Sequence, residues 1–243
     1  MQGMMHINCD MAESYGNLVA GNDMAILPLV DSVNVACGFH GGDPLTIERV
    51  IIRALELGKQ VGAHPSFPDL QGFGRRFMQL SDEELAANLR YQISAVKSMT
   101  ESLGGALLYV KPHGALYNVA AHDKRHAAII VRMIQSMDSG LKLMAPYGSA
   151  MAAEASEQGV GVIFESFGDR QYNEDGSLVS RNMPASLLTD VAGIVRQINQ
   201  LREGRVKAVT GQYISIISES ICIHGDNPVA LEALQELRKQ NLS

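Results

Sequence analysis

Short apolar runs rich in Val, Ile, Leu and Cys alternate with segments of helical period from one end of the chain to the other. The runs predict strands at roughly 5–10, 33–37, 60–63, 107–111, 142–145, 160–165 and 213–223. Strand and helix in steady alternation imply a parallel sheet or barrel of the α/β class. The helices have readable starts. In DPLTIERVIIRALELG, Ile47, Val50, Ile51, Ala54 and Leu55 share one face, Pro44 suits the first helical position after Asp43, and Gly58 suits the C-terminal cap. Ser81 and Glu84 form a capping box ahead of Leu85, Leu89, Ile93 and Val96. Further helices are expected at about 123–138, 148–158, 184–203 and 227–240. Two long polar stretches interrupt the pattern. One, at about 65–80, holds PSFPDLQGFGRR; the other, at about 166–184, has an Asn-Glu-Asp-Gly core that predicts a tight turn, and reads as a lid or a hairpin over a site.

With 243 residues, 46% of them hydrophobic, the chain can bury one large core, and no composition shift marks a second unit, so a single domain over 1–243 is expected. A net charge of −6 without a basic cluster gives no reason to expect a nucleic-acid partner. The opening MQGMMHINCD turns polar too soon for a secretory segment, and no apolar run approaches the ~18 residues of a membrane span, so a soluble cytoplasmic protein is expected. Cys9, Cys37 and Cys222, an odd number inside apolar runs, read as reduced and buried rather than bridged.

Four of the seven histidines close apolar runs in Gly- or Pro-rich boxes: CGFHGGDP at His40, GAHPSFPD at His64, VKPHGALYN at His113 and CIHGDNP at His224. In parallel α/β folds such strand ends share one rim. The same rim would receive Asp10, Glu13, Asp43, Lys111, Glu165, Asp169, Arg170 and Asp226. Asp43 and Asp226 also suit helix caps. Arg75 or Arg76 could bind a carboxylate, and Lys111 a substrate or phosphate. Burial at the end of VGVIF would raise the pKa of Glu165 and suit it to acid–base work. There is no GxxxxGK[ST], no GxGxxG after a strand and no GxSxG, so neither a common nucleotide cradle nor a serine nucleophile is encoded.

Taken in order, NCDMAESYG, NVACGFHGGDP, GAHPSFPDLQGFGRR, VKPHGALYN, ESFGDRQYNEDGSLVSR and HGDNP resemble the signature blocks of the LamB/YcsF family, which includes one component of the prokaryotic 5-oxoprolinase. The first block departs from the expected DLGES in having Ala12 for glycine, which would tighten the turn. The block at Glu165 has Gly168 where alanine is usual. The resemblance implies an irregular seven-stranded (β/α) barrel similar to the glycoside hydrolase/deacetylase fold. It also implies ATP-dependent opening of 5-oxo-L-proline to L-glutamate, with Mg²⁺-ATP as cosubstrate and subunits B and C as partners. Association of copies of the chain is left open. Under it, Asp10, Glu13, His40, His64, Lys111, His113, Glu165 and His224 are the catalytic candidates. Asp43, Arg75, Arg76, Asn118, Asp169, Arg170 and Asp226 are the candidates for binding substrate or phosphate. The fold analogy offers an alternative, a metal-dependent amidase or deacetylase with a divalent metal on Asp10, His40 and His64.

Overall fold

The computed structural model describes residues 6–181, 183–184 and 186–242. Seven parallel strands close a barrel: β1 (His6–Met11), β2 (Ser32–Ala36), β3 (Gln60–His64), β4 (Leu107–Val110), β5 (Lys142–Ala145), β6 (Val162–Phe167) and, after an excursion, β9 (Ser220–Cys222), which pairs with both β6 and β1. The expected irregular seven-stranded (β/α) barrel is the architecture found. Among the described residues, no helix is long and apolar enough to cross a membrane.

Between the strands run α1 (Asp23–Ile26) with a short 3₁₀ turn (Leu27–Leu29), α2 (Pro44–Glu56), α3 (Asp82–Ser102), α4 (Gly114–Ala120), α5 (Lys124–Met137), α6 (Ala150–Gln158), α7 (Val191–Arg202) and α8 (Ala230–Leu242). The capping logic holds. Asp43 accepts from the backbone of Leu45 and Thr46, and the Ser81–Glu84 capping box is closed in both directions. On α2, Ile47, Val50, Ile51 and Ala54 are buried against the barrel, while Leu55 is half-buried.

Three elements differ from expectation. The run predicted at 213–223 is about twice the length of a strand here, so only its end fits the barrel. Its start, β8 (Tyr213–Ser215), pairs antiparallel with β7 (Arg205–Lys207) in a separate two-stranded sheet. Helix α7 begins at Val191 rather than 184, because Asp190 caps it through Gly193 N and the preceding chain bridges Arg170 to Leu187. Strand β6 runs two residues further than expected, placing Glu165 inside the barrel wall.

A row of register partners runs across four strands: Asp10 faces Asn34, Asn34 faces Gly62, and Gly62 faces Tyr109. The Tyr109 ring lies over Gly62, where a Cβ would meet it at 2.2 Å, and its hydroxyl donates to Asn34 Oδ1 at 2.7 Å. That hydrogen bond is one reason a tyrosine can be fully buried in the barrel interior. Asn34 in turn donates to Asn8 Oδ1 at 2.8 Å and to Asp10 Oδ1 at 2.7 Å. This ladder of neutral amides fixes the first functional carboxylate from below.

Candidate active site

The C-terminal ends of the strands open on a cavity of about 690 Å³. Among its lining residues are Asp10, His64, Arg75, Lys111, His113, Tyr117, Asn118, Glu165, Arg170 and His224, drawn from nearly every strand end. Residues 166–181 of the second polar stretch fold over it as an irregular hairpin with a tight turn, Asn173 N donating to Ser177 O and Gly176 N to Asn173 O. Asp175 through Arg181 of that hairpin also line the cavity.

At the cavity floor Lys111 Nζ lies 2.9 Å from Asp10 Oδ1 and 2.8 Å from Glu165 Oε1. It also donates to Cys222 Sγ at 3.1 Å. Burial opposes the ammonium, but the Asp10 and Glu165 carboxylates outweigh it and hold its pKa well above the usual lysine value. Burial likewise opposes ionisation of Asp10, yet His64 and Lys111 keep its carboxyl well below the usual range. Burial pushes the Cys222 thiol upward, with Asp10 adding to it, so the sulfur is no nucleophile. Glu165 is not the isolated carboxylate that burial alone would make it; it is paired with Lys111 and accepts from the Tyr117 hydroxyl at 2.9 Å.

One wall carries a histidine–carboxylate dyad. His224 donates from Nδ1 to Asp169 Oδ1 at 2.8 Å, and Asp169 also accepts from the His224 backbone N–H and from Asn227. An Asp169 carboxylate can only accept, so Nδ1 carries the proton, and the neutral ring has its lone pair on Nε2, 4.0 Å from Asp10 Oδ2. Asp169, expected as a substrate contact, is fully buried and outside the cavity lining; its place is to orient His224.

Opposite charge enters through Arg170. It is 5% exposed, donates to the carbonyls of Ser186 and Val179, and has no carboxylate within ion-pair distance among the described residues. Burial, with Arg181 beside it, lowers its pKa to about 10. Arg75 also lines the cavity, but its guanidinium is spent on Asp226 at 2.7 Å. Arg76 does not reach the cavity. It pairs with Asp69, because the turn through Gly72 and Gly74 sends the two adjacent arginines to different sides. Asp43 caps α2 and accepts from Gly16 N, and Asp226 pairs with Arg75 at the rim; neither lines the cavity.

His40, His64 and His113 form a compact group with Glu13, all four buried. His40 stacks on His113 with ring centroids 3.7 Å apart and planes 4° from parallel, and its Nε2 lies 3.1 Å from Glu13 Oε1. Burial, reinforced by Arg75 against the pull of Asp10, brings His40 down to about 3. Burial and the neighbouring His40 and His64 hold His113 well below the usual histidine value. Burial and the Asp10 charge lift Glu13 to about 7. A buried group of this composition could bind a divalent metal. The expected set of Asp10, His40 and His64 is not one of the two ligand-spaced groups among the described residues: His40 and His64 group with Glu13 and His113, and Asp10 groups with Cys222 and His224.

Asn8, Asn34 and Tyr117 belong to the site although the sequence pattern does not single them out. The first two carry a signal, a polar residue interrupting an apolar run in HINCD and in SVNVA. Tyr117 gives none, since helix α4 is too short to show a period.

Residues 5–242 match the LamB/YcsF family. The chain is 47% identical over 227 residues to a protein of Acinetobacter baumannii named as the A subunit of 5-oxoprolinase, covering 93% of this chain and 89% of that one. It is 44% identical over 238 residues to the protein of the same name from Acinetobacter baylyi, covering 98% and 94%. The crystal structure of a lactam utilization protein from Thermus thermophilus superposes with a TM-score of 0.90 at 41% identity, covering 98% of this chain and 96% of that one.

Proposed function

The chain belongs to the LamB/YcsF family, and from that premise we propose that it is the A subunit of an ATP-dependent 5-oxoprolinase, opening 5-oxo-L-proline to L-glutamate with subunits B and C. The observation that carries this reading is the pairing of an oriented His224 with an uncompensated Arg170 across one cavity. The substrate is a small lactam with one carboxylate, and these two residues answer to its two functional parts.

A lactam carbonyl is a poor electrophile. Transfer of the ATP γ-phosphoryl group to its oxygen gives an activated imidate and ADP. His224 Nε2 takes a proton from water as the water oxygen bonds to the activated carbon. The ring C–N bond then breaks, the nitrogen taking that proton and the proton of the newly added hydroxyl to leave as an ammonium, and an acyl phosphate remains that a second water converts to glutamate and phosphate. Asp169 holds His224 in the required tautomer and balances its charge when protonated. Arg170 takes the substrate carboxylate by a charge-assisted pair. Lys111 was expected as an anion clamp, but its charge is already met by Asp10 and Glu165, so that role passes to Arg170. The chain has no glycine-rich phosphate loop, and the Mg²⁺-ATP site is assigned to the partner subunits.

The alternative is a metal-dependent amidase that needs no ATP, favoured by the buried Glu13 and histidine group. Glutamate release from 5-oxo-L-proline by the chain with subunits B and C, with and without ATP, separates the two. ATP-dependent release that requires this chain supports the proposal. Hydrolysis of an acylated sugar by the chain alone, with no glutamate formed under any condition, overturns it.

A further inference from the structure

His64 donates from Nδ1 to the Lys111 carbonyl at 2.6 Å, and His113 donates from Nε2 to the Phe73 carbonyl at 2.8 Å. A carbonyl can only accept, so both tautomers are set. With both rings neutral, the remaining nitrogens, His64 Nε2 and His113 Nδ1, face each other at 3.0 Å, each carrying a lone pair, and His64 Nε2 also faces Asp10 Oδ2 at 3.3 Å. Two neutral imidazoles in these tautomers have no proton to place between them. Glu13 Oε1, a third lone-pair donor, lies 3.5 Å from His113 Nδ1.

We propose that Glu13, His64 and His113 form a binding site for one divalent transition-metal ion, held by Glu13 Oε1, His64 Nε2 and His113 Nδ1.

Spacing, orientation and charge each support the site. Bonds of 2.0–2.1 Å at a tetrahedral angle put ligand atoms about 3.3 Å apart, close to the 3.0 and 3.5 Å found. The His64 and His113 rings stand at 87°, so one ion can lie in both ring planes. Both rings spend their second nitrogen on a backbone carbonyl, the arrangement that orients metal-binding histidines. The two non-glycine residues with positive φ among those described are Ala12, which precedes Glu13, and Phe73, whose carbonyl fixes His113. The interior is also rich in carboxylates: Asp10, Glu13, Glu165 and Asp169 are all buried, and Lys111 pairs with only Asp10 and Glu165.

His40 is excluded as a ligand. Its plane is parallel to that of His113, so an ion lying in one ring plane cannot lie in the other. Its Nδ1 is buried without a partner among the described residues, unlike the second nitrogens of the other two. Its Nε2–H donates to Glu13 Oε1 and positions that carboxylate. The other ligand-spaced group, Asp10 with Cys222 and His224, already holds the Lys111 ammonium between its acid and its sulfur. Three ligands with a fourth position unfilled, two of them imidazoles, suit zinc or cobalt.

His64 and His113 line the same cavity as His224 and Arg170, and the site is tested by metal binding alone, without turnover. The full chain is stripped with a chelator and titrated with Co²⁺, following visible d–d absorption, and with Zn²⁺ by competition. One equivalent is expected, with affinity lowered by about 100-fold or more in His64→Ala and His113→Ala and by about 10-fold in His40→Ala. Circular dichroism establishes that each variant is folded. If a variant does not fold, histidine ¹⁵N spectra of the wild-type chain decide, since Zn²⁺ should perturb His64 Nε2 and His113 Nδ1 while His40 keeps its tautomer. A folded wild-type chain that takes up neither metal, with one proton shared between His64 and His113, overturns the proposal. So does uptake untouched by His113→Ala in a folded variant.

Discussion

Lys111 Nζ lies 2.8 Å from Glu165 Oε1, an ion pair whose two side chains are 3% and 0% exposed. With Asp10 on its other side, this lysine is the charge that lets two carboxylates share the barrel interior. Removing one partner of a buried pair leaves the other uncompensated. Lys111→Met should therefore lower stability by about 3–5 kcal/mol in urea unfolding. Lys111→Met with Glu165→Gln should recover part of that loss. A single variant as stable as the wild type would show that the pair is not holding the interior.

Arg170 is assigned the substrate carboxylate. Arg170→Gln removes the charge and leaves one shorter amide donor in place of the Nε and Nη2 that reach the Ser186 and Val179 carbonyls. It should raise KM for 5-oxo-L-proline by roughly 10- to 100-fold, with a smaller change in kcat, since a hydrogen bond to a charged group contributes about 1.5–3 kcal/mol. An unchanged KM would remove Arg170 from substrate binding.

Ala12 has a φ of +60°. That region carries a penalty for any residue with a Cβ. Ala12→Gly should raise the unfolding free energy by up to about 1 kcal/mol. A loss of stability would mean that the methyl packing outweighs the backbone strain.

Burial lifts the Asp23 carboxyl to about 6, against the hydrogen bond it accepts from Ala12 N. The folded state thus holds this proton more tightly than the unfolded chain, whose carboxyl sits at its ordinary value near 3.8. The resulting stabilisation is complete below pH ~4 and is lost as pH rises through about 6. Discounted for the side chain's partial exposure, the loss is on the order of 1–2 kcal/mol. Asp23→Asn should flatten that part of the stability–pH curve in chemical unfolding at pH 4 to 7. An identical slope in both proteins would contradict the assignment.

Much of the fold was legible because period carries it: apolar runs marked the strands, and Asp43, Ser81 and Glu84 marked helix starts that exist. The limits were equally physical. Nothing local told the 213–223 run that it exceeded the barrel wall, and nothing in GFGRR told which arginine would turn inward. Asn8 and Asn34 stand out as polar breaks in strands, but their partners, Ser220, Asp10 and Tyr109, are brought near only by closure. The site residues were found as a set and not as roles. Which nitrogen of His64, His113 or His224 carries the proton follows from a carbonyl or carboxylate distant in sequence, and only the fold supplies it.

The central claim is that lactam opening takes place in this barrel, next to His224. Its most direct measurement is ATP-dependent glutamate release from 5-oxo-L-proline by subunits B and C supplemented with the wild-type chain or with His224→Gln. The account predicts that the wild-type chain establishes turnover and that the folded, assembled variant lowers kcat by about 10²-fold or more. Glutamate release by B and C without this chain, or wild-type rates with His224→Gln, would contradict it.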